Sequence, residues 1–148
     1  MSHSRIAVLT YSAEEQEVNT DEILEEMETY GNQVDYVAGS PSSFESDYDW
    51  FMNIAKKWGF VPTEDKKGFI IEDKNLFWSK MTKDIQQILE DDGGVTDRNR
   101  FKLEDRLVMK RGFWIWYDGS LYTLPYFIEY LGNTPAEFKI QEFLDYHF

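Results

Sequence analysis

Carboxylates are the one chemically capable group that this chain carries in quantity. Asp21, Glu22, Glu25, Glu26 and Glu28 fall within three helical turns, and Glu14, Glu15 and Glu17 lie just before them. Residues four apart on a helix rise about 6 Å. That is comparable with alternate phosphates on a nucleic-acid strand, which are spaced at roughly 3.4 Å per phosphate. The like-charged pairs Asp21–Glu25 and Glu22–Glu26 each cost a few tenths of a kcal/mol, and no lysine or arginine lies in this segment to relieve them. A helix shaped only for stability would alternate signs. Two uses fit such a stretch: a solvated, solubilising face, or a surface that takes the place of nucleic acid in a basic groove.

Carboxylates can also hold metals or act as acid and base, but their spacing here matches no such site. Asp47 and Asp49 bracket Tyr48, and Glu90, Asp91 and Asp92 adjoin Gly93-Gly94, with Asp97 nearby. A calcium loop starting at Asp91 would need oxygen ligands where Gly93 and Val95 stand. The only histidines, His3 and His147, lie far apart in sequence. Each sits near one end, where a preorganised general base or metal ligand is not expected. Cysteine is absent, which removes thiol nucleophiles and disulfides and agrees with a reducing cytosol. No GxGxxG, Walker or HExxH pattern occurs, and the acidic stretch after the first strand would repel phosphate. The expectation is therefore a non-catalytic protein with no metal ligands and no cofactor. A small carboxylate- or metal-dependent hydrolase is the rival, and it requires a concave pocket with converging acids. A structural or assembly subunit is the third reading, and it requires a large apolar face.

Net charge is −13 over 148 residues, and it is unevenly spread. Residues 1–55 hold twelve acids against a single base, Arg5, whereas residues 56–112 hold thirteen bases and eleven acids. Arg98, Arg100, Lys102, Arg106, Lys110 and Arg111 precede an aromatic stretch on which bases could stack. The interleaved acids and the overall field oppose direct nucleic-acid binding. The expected partner is a basic protein, a nucleic-acid-binding enzyme, with neither nucleic acid nor membrane bound directly. There is no apolar run long enough to span a bilayer and no secretory signal pattern, so the expected location is cytoplasmic.

The elements that must position these groups are legible in part. Phe113–Leu131 is the densest aromatic stretch, and Asp118-Gly119 supplies the two positive-φ positions of a type I′ hairpin. This pairs Tyr117 with Ser120, Trp116 with Leu121, Ile115 with Tyr122 and Trp114 with Thr123. One face then carries Trp114, Trp116, Leu121 and Thr123, and the other Phe113, Ile115, Tyr117, Tyr122 and Leu124. Upstream, Arg5–Tyr11 reads as a buried strand. Asn19 or Thr20 caps an acidic helix that buries Ile23, Leu24, Met27 and Tyr30 and stops at Gly31. Val34–Ala38 completes a βαβ-like unit with parallel strands.

Ser42–Glu45 opens a second helix along Phe44, Tyr48, Phe51, Ala55 and Trp58, closed by Gly59. Gly68–Ile71 is a strand, and Asp73 caps a helix to about Glu90. Thr96 starts a further helix expected to bury Phe101, Leu107 and Val108, and a long strand over 95–111 is the alternative. Pro125–Leu131 is a short helix. Thr134-Pro135-Ala136-Glu137 has the form of a capping box that starts a last helix, burying Ala136, Ile140, Phe143 and Leu144. The fold expected is α+β: a single layered domain over 1–148, with a short mixed sheet of about five strands including the aromatic hairpin, packed by five or six helices.

In size, charge and aromatic content the chain resembles small acidic inhibitors that phages make against host defences, anti-CRISPR and antirestriction proteins among them. It likewise resembles acidic immunity proteins that neutralise nuclease toxins. No motif is shared. The resemblance implies inhibition of a nucleic-acid-handling enzyme by nucleic-acid mimicry. From the charge argument, the expected partner-binding residues are Glu14, Glu15, Glu17, Asp21, Glu22, Glu25, Glu26 and Glu28. Trp114 and Trp116 are the hairpin side chains expected to add anchoring area.

Overall fold

In a computed structural model, which describes residues 3–11, 19–28 and 36–147, Ala136–His147 forms a twelve-residue strand around which the sheet is assembled. In chain order the elements are β1 (His3–Tyr11), α1 (Thr20–Glu28), β2 (Tyr36–Gly39), α2 (Phe44–Ala55), β3 (Val61–Pro62) and β4 (Gly68–Ile71). Then come α3 (Lys74–Asp92), α4 (Arg100–Val108), β5 (Trp114–Tyr117), β6 (Ser120–Thr123), α5 (Leu124–Tyr130) and β7 (Ala136–His147). A 3₁₀ turn, Lys56–Trp58, extends α2 and ends at Gly59, whose φ of 94° provides the left-handed stop. The fold is α+β, and the described residues form a mixed seven-stranded sheet and five α-helices.

The sheet runs β3-β4-β7-β1-β5-β6. Among the described residues only β1 and β5 pair in parallel, and the other neighbours are antiparallel. One edge of β7 pairs with β1. Its other edge is shared, with β4 along residues 136–139 and β2 along residues 144–147. β1 and β2 therefore run in the same direction, as the βαβ reading requires, but β7 lies between them. They are not the adjacent parallel pair that the local sequence suggests.

The last element is the largest correction. Residues 136–147 are a strand and not a helix. Ala136, Phe138 and Ile140 alternate toward one face, with exposed Glu137 and Lys139 between them. Val8 pairs with Glu142 and Leu9 with Ile140, so Gln141 is an extra residue, a β-bulge. Past the bulge the alternation shifts phase. Phe143 joins the first face, and Leu144 and Tyr146 the second. The bulge places the first-face residues Ala136, Ile140 and Phe143 at spacings of four and three, which imitate a helix.

Period-2 alternation along β1 divides the core in two. Ala7 and Leu9 point to a large layer with Phe51, Phe69, Phe77, Phe113, Phe127 and Phe138, built from the sheet with α2, α3 and α5. Ile6 and Val8 point to a smaller layer with Trp114, Trp116, Leu121, Leu144 and Tyr146, against which α1 sets Ile23. The hairpin has the expected register from Trp114–Thr123 to Tyr117–Ser120. Asp118 and Gly119 have φ of 51° and 75°, as a type I′ turn demands. Between β4 and β7 the backbones approach closely: a Cβ on Gly68 would stand 2.1 Å from the Phe138 carbonyl oxygen. Only glycine fits there.

Helix α4 exists, but its packing differs from expectation. Phe101 and Leu107 are 57% and 56% exposed, and none of its residues is buried. Its start is fixed by reciprocal bonds. Thr96 N–H donates to Asn99 Oδ1 at 2.7 Å, and Asn99 N–H donates to Thr96 Oγ1 at 3.1 Å. The Arg111 guanidinium lies 4.5 Å from the Phe101 ring centre, so part of that aromatic face meets a cation rather than the core.

Candidate functional site

Helix α1 begins where Asn19 accepts the Asp21 N–H at 2.9 Å through its side-chain oxygen, satisfying an otherwise unpaired donor. Ile23 is buried and Leu24 half-buried on the sheet side, which fixes the rotation of the helix. Asp21, Glu22, Glu25 and Glu26 are consequently turned to solvent. Asp21, Glu22 and Glu25 make no ion pair with any described residue. Glu28 occupies the last turn of the helix. Glu14, Glu15 and Glu17, together with Tyr30 and the Gly31 stop, lie outside the described residues. Four carboxylates thus share one short helix on the smaller-core side of the sheet. The exposed bases Arg98, Arg100, Lys102, Lys110 and Arg111 belong to α4 and its flanks, and α4 itself packs on α3 and α5.

This geometry has a measurable corollary. Replacing Glu25 with lysine removes the Asp21–Glu25 repulsion and sets an acid four residues ahead of a base, the favourable order. We expect Glu25→Lys to raise stability by a few tenths of a kcal/mol, read as a higher urea midpoint. A fall in the midpoint would mean that Glu25 has a structural partner.

The two hairpin tryptophans are not at the surface. Trp114 and Trp116 are 5% and 2% exposed and belong to the smaller core. The indole N–H of Trp114 donates to the Lys110 carbonyl at 2.8 Å, and the Tyr146 hydroxyl donates to the Gly112 carbonyl. Burial pushes the Tyr146 phenol far above its ordinary range. These rings pin the 109–112 loop to the sheet, so they are structural, and no base can stack on them. The aromatic side chain on α2 that does reach solvent is Trp50, 41% exposed, with the Arg5 guanidinium 5.3 Å from its ring centre.

Arg5 anchors a second polar feature that composition alone does not reveal. On β1 it is 7% exposed, and its Nε donates to Asp47 of α2 at 3.0 Å. Its Nη1 donates to Asp145 of β7 at 2.6 Å. Ser40 donates to the other Asp47 oxygen at 2.5 Å. Asp47 and Asp145 are themselves 2% and 7% exposed, so this is a buried two-acid, one-base network. His3 and His147 border it. Their rings pack edge to face at 4.1 Å, because antiparallel β1 and β7 place them directly opposite each other. The large separation of these histidines in sequence conceals that register. Asp145-x-His147 places two side chains on one strand face, a signal available only once 136–147 is read as a strand.

An open groove of about 910 Å³ lies at the far end of β4 and β7, lined in part by Glu64, Asp65, Lys67, Glu137 and Lys139. Its acids alternate with bases. Asp65 accepts from the Thr63 hydroxyl at 2.7 Å and from the Lys67 N–H at 3.0 Å, which hold its carboxyl below the usual range. That carboxylate closes its own turn and is committed to it. No helix among the described residues is long and apolar enough to cross a membrane. Comparison with known protein families, curated proteins and solved structures finds no match to this chain.

Proposed function

We propose that this is a non-catalytic, cytoplasmic binding protein that inhibits a nucleic-acid-handling enzyme by presenting the carboxylates of α1 to its basic groove. The observation that carries this reading is the outward row of Asp21, Glu22, Glu25 and Glu26 on a helix with no base of its own. The α1 carboxylates steer encounter with a positive surface, and the sheet beneath holds their spacing fixed. Glu14, Glu15 and Glu17 extend the same charge along the chain. In this reading the contact is made by the α1 face itself: Trp114 and Trp116 are buried, and Trp50, which packs on Phe113 of the larger core, lies across the sheet from α1.

The test uses the protein immobilised against extract of its native host, with retained proteins identified and then challenged by duplex DNA and by salt. A nucleic-acid-binding protein released by both is expected, and a variant with Glu22→Lys, Glu25→Lys and Glu26→Lys should lose it. Retention unchanged in that variant, or insensitive to DNA, would overturn mimicry.

A further inference from the structure

We infer that His3, Asp145 and His147 form a binding site for a divalent transition-metal ion at the open end of the β1–β7 pair. The three side chains share one face of two paired strands, His3 opposite His147 and Asp145 two residues before it. Their ligand-capable atoms all lie within 4.8 Å of one another. His3 Nδ1 is 3.4 Å from Asp145 Oδ1, and His147 Nε2 is 3.4 Å from Asp145 Oδ2. Metal–ligand bonds of about 2.1 Å in a tetrahedral shell put neighbouring ligand atoms about 3.4 Å apart. The two histidine–carboxylate separations match such a shell, each to a different Asp145 oxygen, and the wider spacing within the trio, up to 4.8 Å, closes by rotation of the exposed His3 side chain.

The surroundings favour a cation of this class. Two imidazoles and one carboxylate are the ligand set of zinc, iron(II) and their neighbours, and unlike an all-oxygen set they select against calcium and magnesium. Arg5 bonds Asp145 through Oδ1, which fixes the carboxylate and leaves Oδ2 turned toward His147. Outer-shell bonds of this kind orient ligands in metal sites. Counting Arg5, Asp47 and Asp145 together, the buried network carries one net negative charge, so a cation at its mouth is drawn in. The His3 side chain is 53% exposed and provides the entry path. Three protein ligands leave the remaining coordination positions open to water.

The site is independent of the acidic face of α1, and its test is chosen accordingly. Chelator-treated protein is titrated with Zn²⁺ alone by calorimetry, and its melting temperature is recorded with and without the ion. One-to-one uptake with a higher melting temperature is expected. His3→Ala and His147→Ala should each weaken uptake at least about tenfold, and Glu64→Gln, in the distant groove, should leave it unchanged. His3 is exposed, so its variant keeps the fold intact. Absence of uptake would overturn the site, as would equal uptake by the wild type and both histidine variants, which would place the zinc on surface carboxylates.

Discussion

Replacing Arg5 with methionine is expected to remove about 3–5 kcal/mol of stability, the range found when one partner of a buried ion pair is deleted. The reason lies in what remains. Asp47 and Asp145 stay almost fully enclosed, and Arg5 supplies a short ionic bond to each. Without the guanidinium, two carboxylates face each other across a desolvated space and must be protonated, hydrated or pushed apart. For a domain whose total stability is about 5–15 kcal/mol, that loss is a large share. The urea midpoint measures it. Removing all three charges together, with Arg5→Met, Asp47→Asn and Asp145→Asn, should restore roughly half of the loss or more, because no ion is then left uncompensated. A single variant losing less than about 1 kcal/mol would match an exposed pair and would contradict the buried network.

The second large effect belongs to Phe138, near the start of β7. Its ring is fully buried and packs against Phe69, Phe127 and Tyr117 at centroid distances between 5.2 and 5.6 Å. Phe138→Ala is expected to cost about 3–5 kcal/mol. Lost burial accounts for part of this, and the cavity left among rings that cannot all move inward for the rest. The position is constrained from the backbone side too, since the Phe138 carbonyl lies against Gly68. Phe138→Leu should recover part of the loss by refilling volume. Denaturant unfolding of both variants distinguishes the terms: an alanine variant no less stable than the leucine variant would mean that the cavity collapses freely.

What could be read in advance follows from the range of the determining interactions. The hairpin register was legible because Asp118-Gly119 sets it within two residues. The Asp73 cap and the Gly59 stop were legible for the same reason, each acting within one helical turn, and Asn19 was one of two neighbouring cap candidates. The identity of β7 was not legible. Its bulge at Gln141 breaks the period-2 pattern, and Thr134-Pro135-Ala136-Glu137 has the composition of a helix start in a place where the chain enters a strand. Insertion of β7 between β1 and β2 is a pairing across more than a hundred residues that no local pattern encodes. The acidic face of α1 was readable from composition, since exposed charge needs no partner to be predicted. Arg5 in an apolar strand was the one visible sign of a buried network. Its acids could not be named until β7 and α2 were placed beside it.

The position of β7 has a consequence for how the chain is made. Every strand from β1 to β6 leaves the ribosome before it, yet β1, β2 and β4 each need β7 as a neighbour. Until residues 136–147 emerge, β1 is paired only through its parallel edge with β5, and apolar side chains on both faces lack their central support. Such long-range closure is slow to form and leaves sticky surface exposed meanwhile. Cooperative folding of the sheet therefore waits for residues 136–147, and the nascent chain is a natural client for a holding chaperone up to that moment.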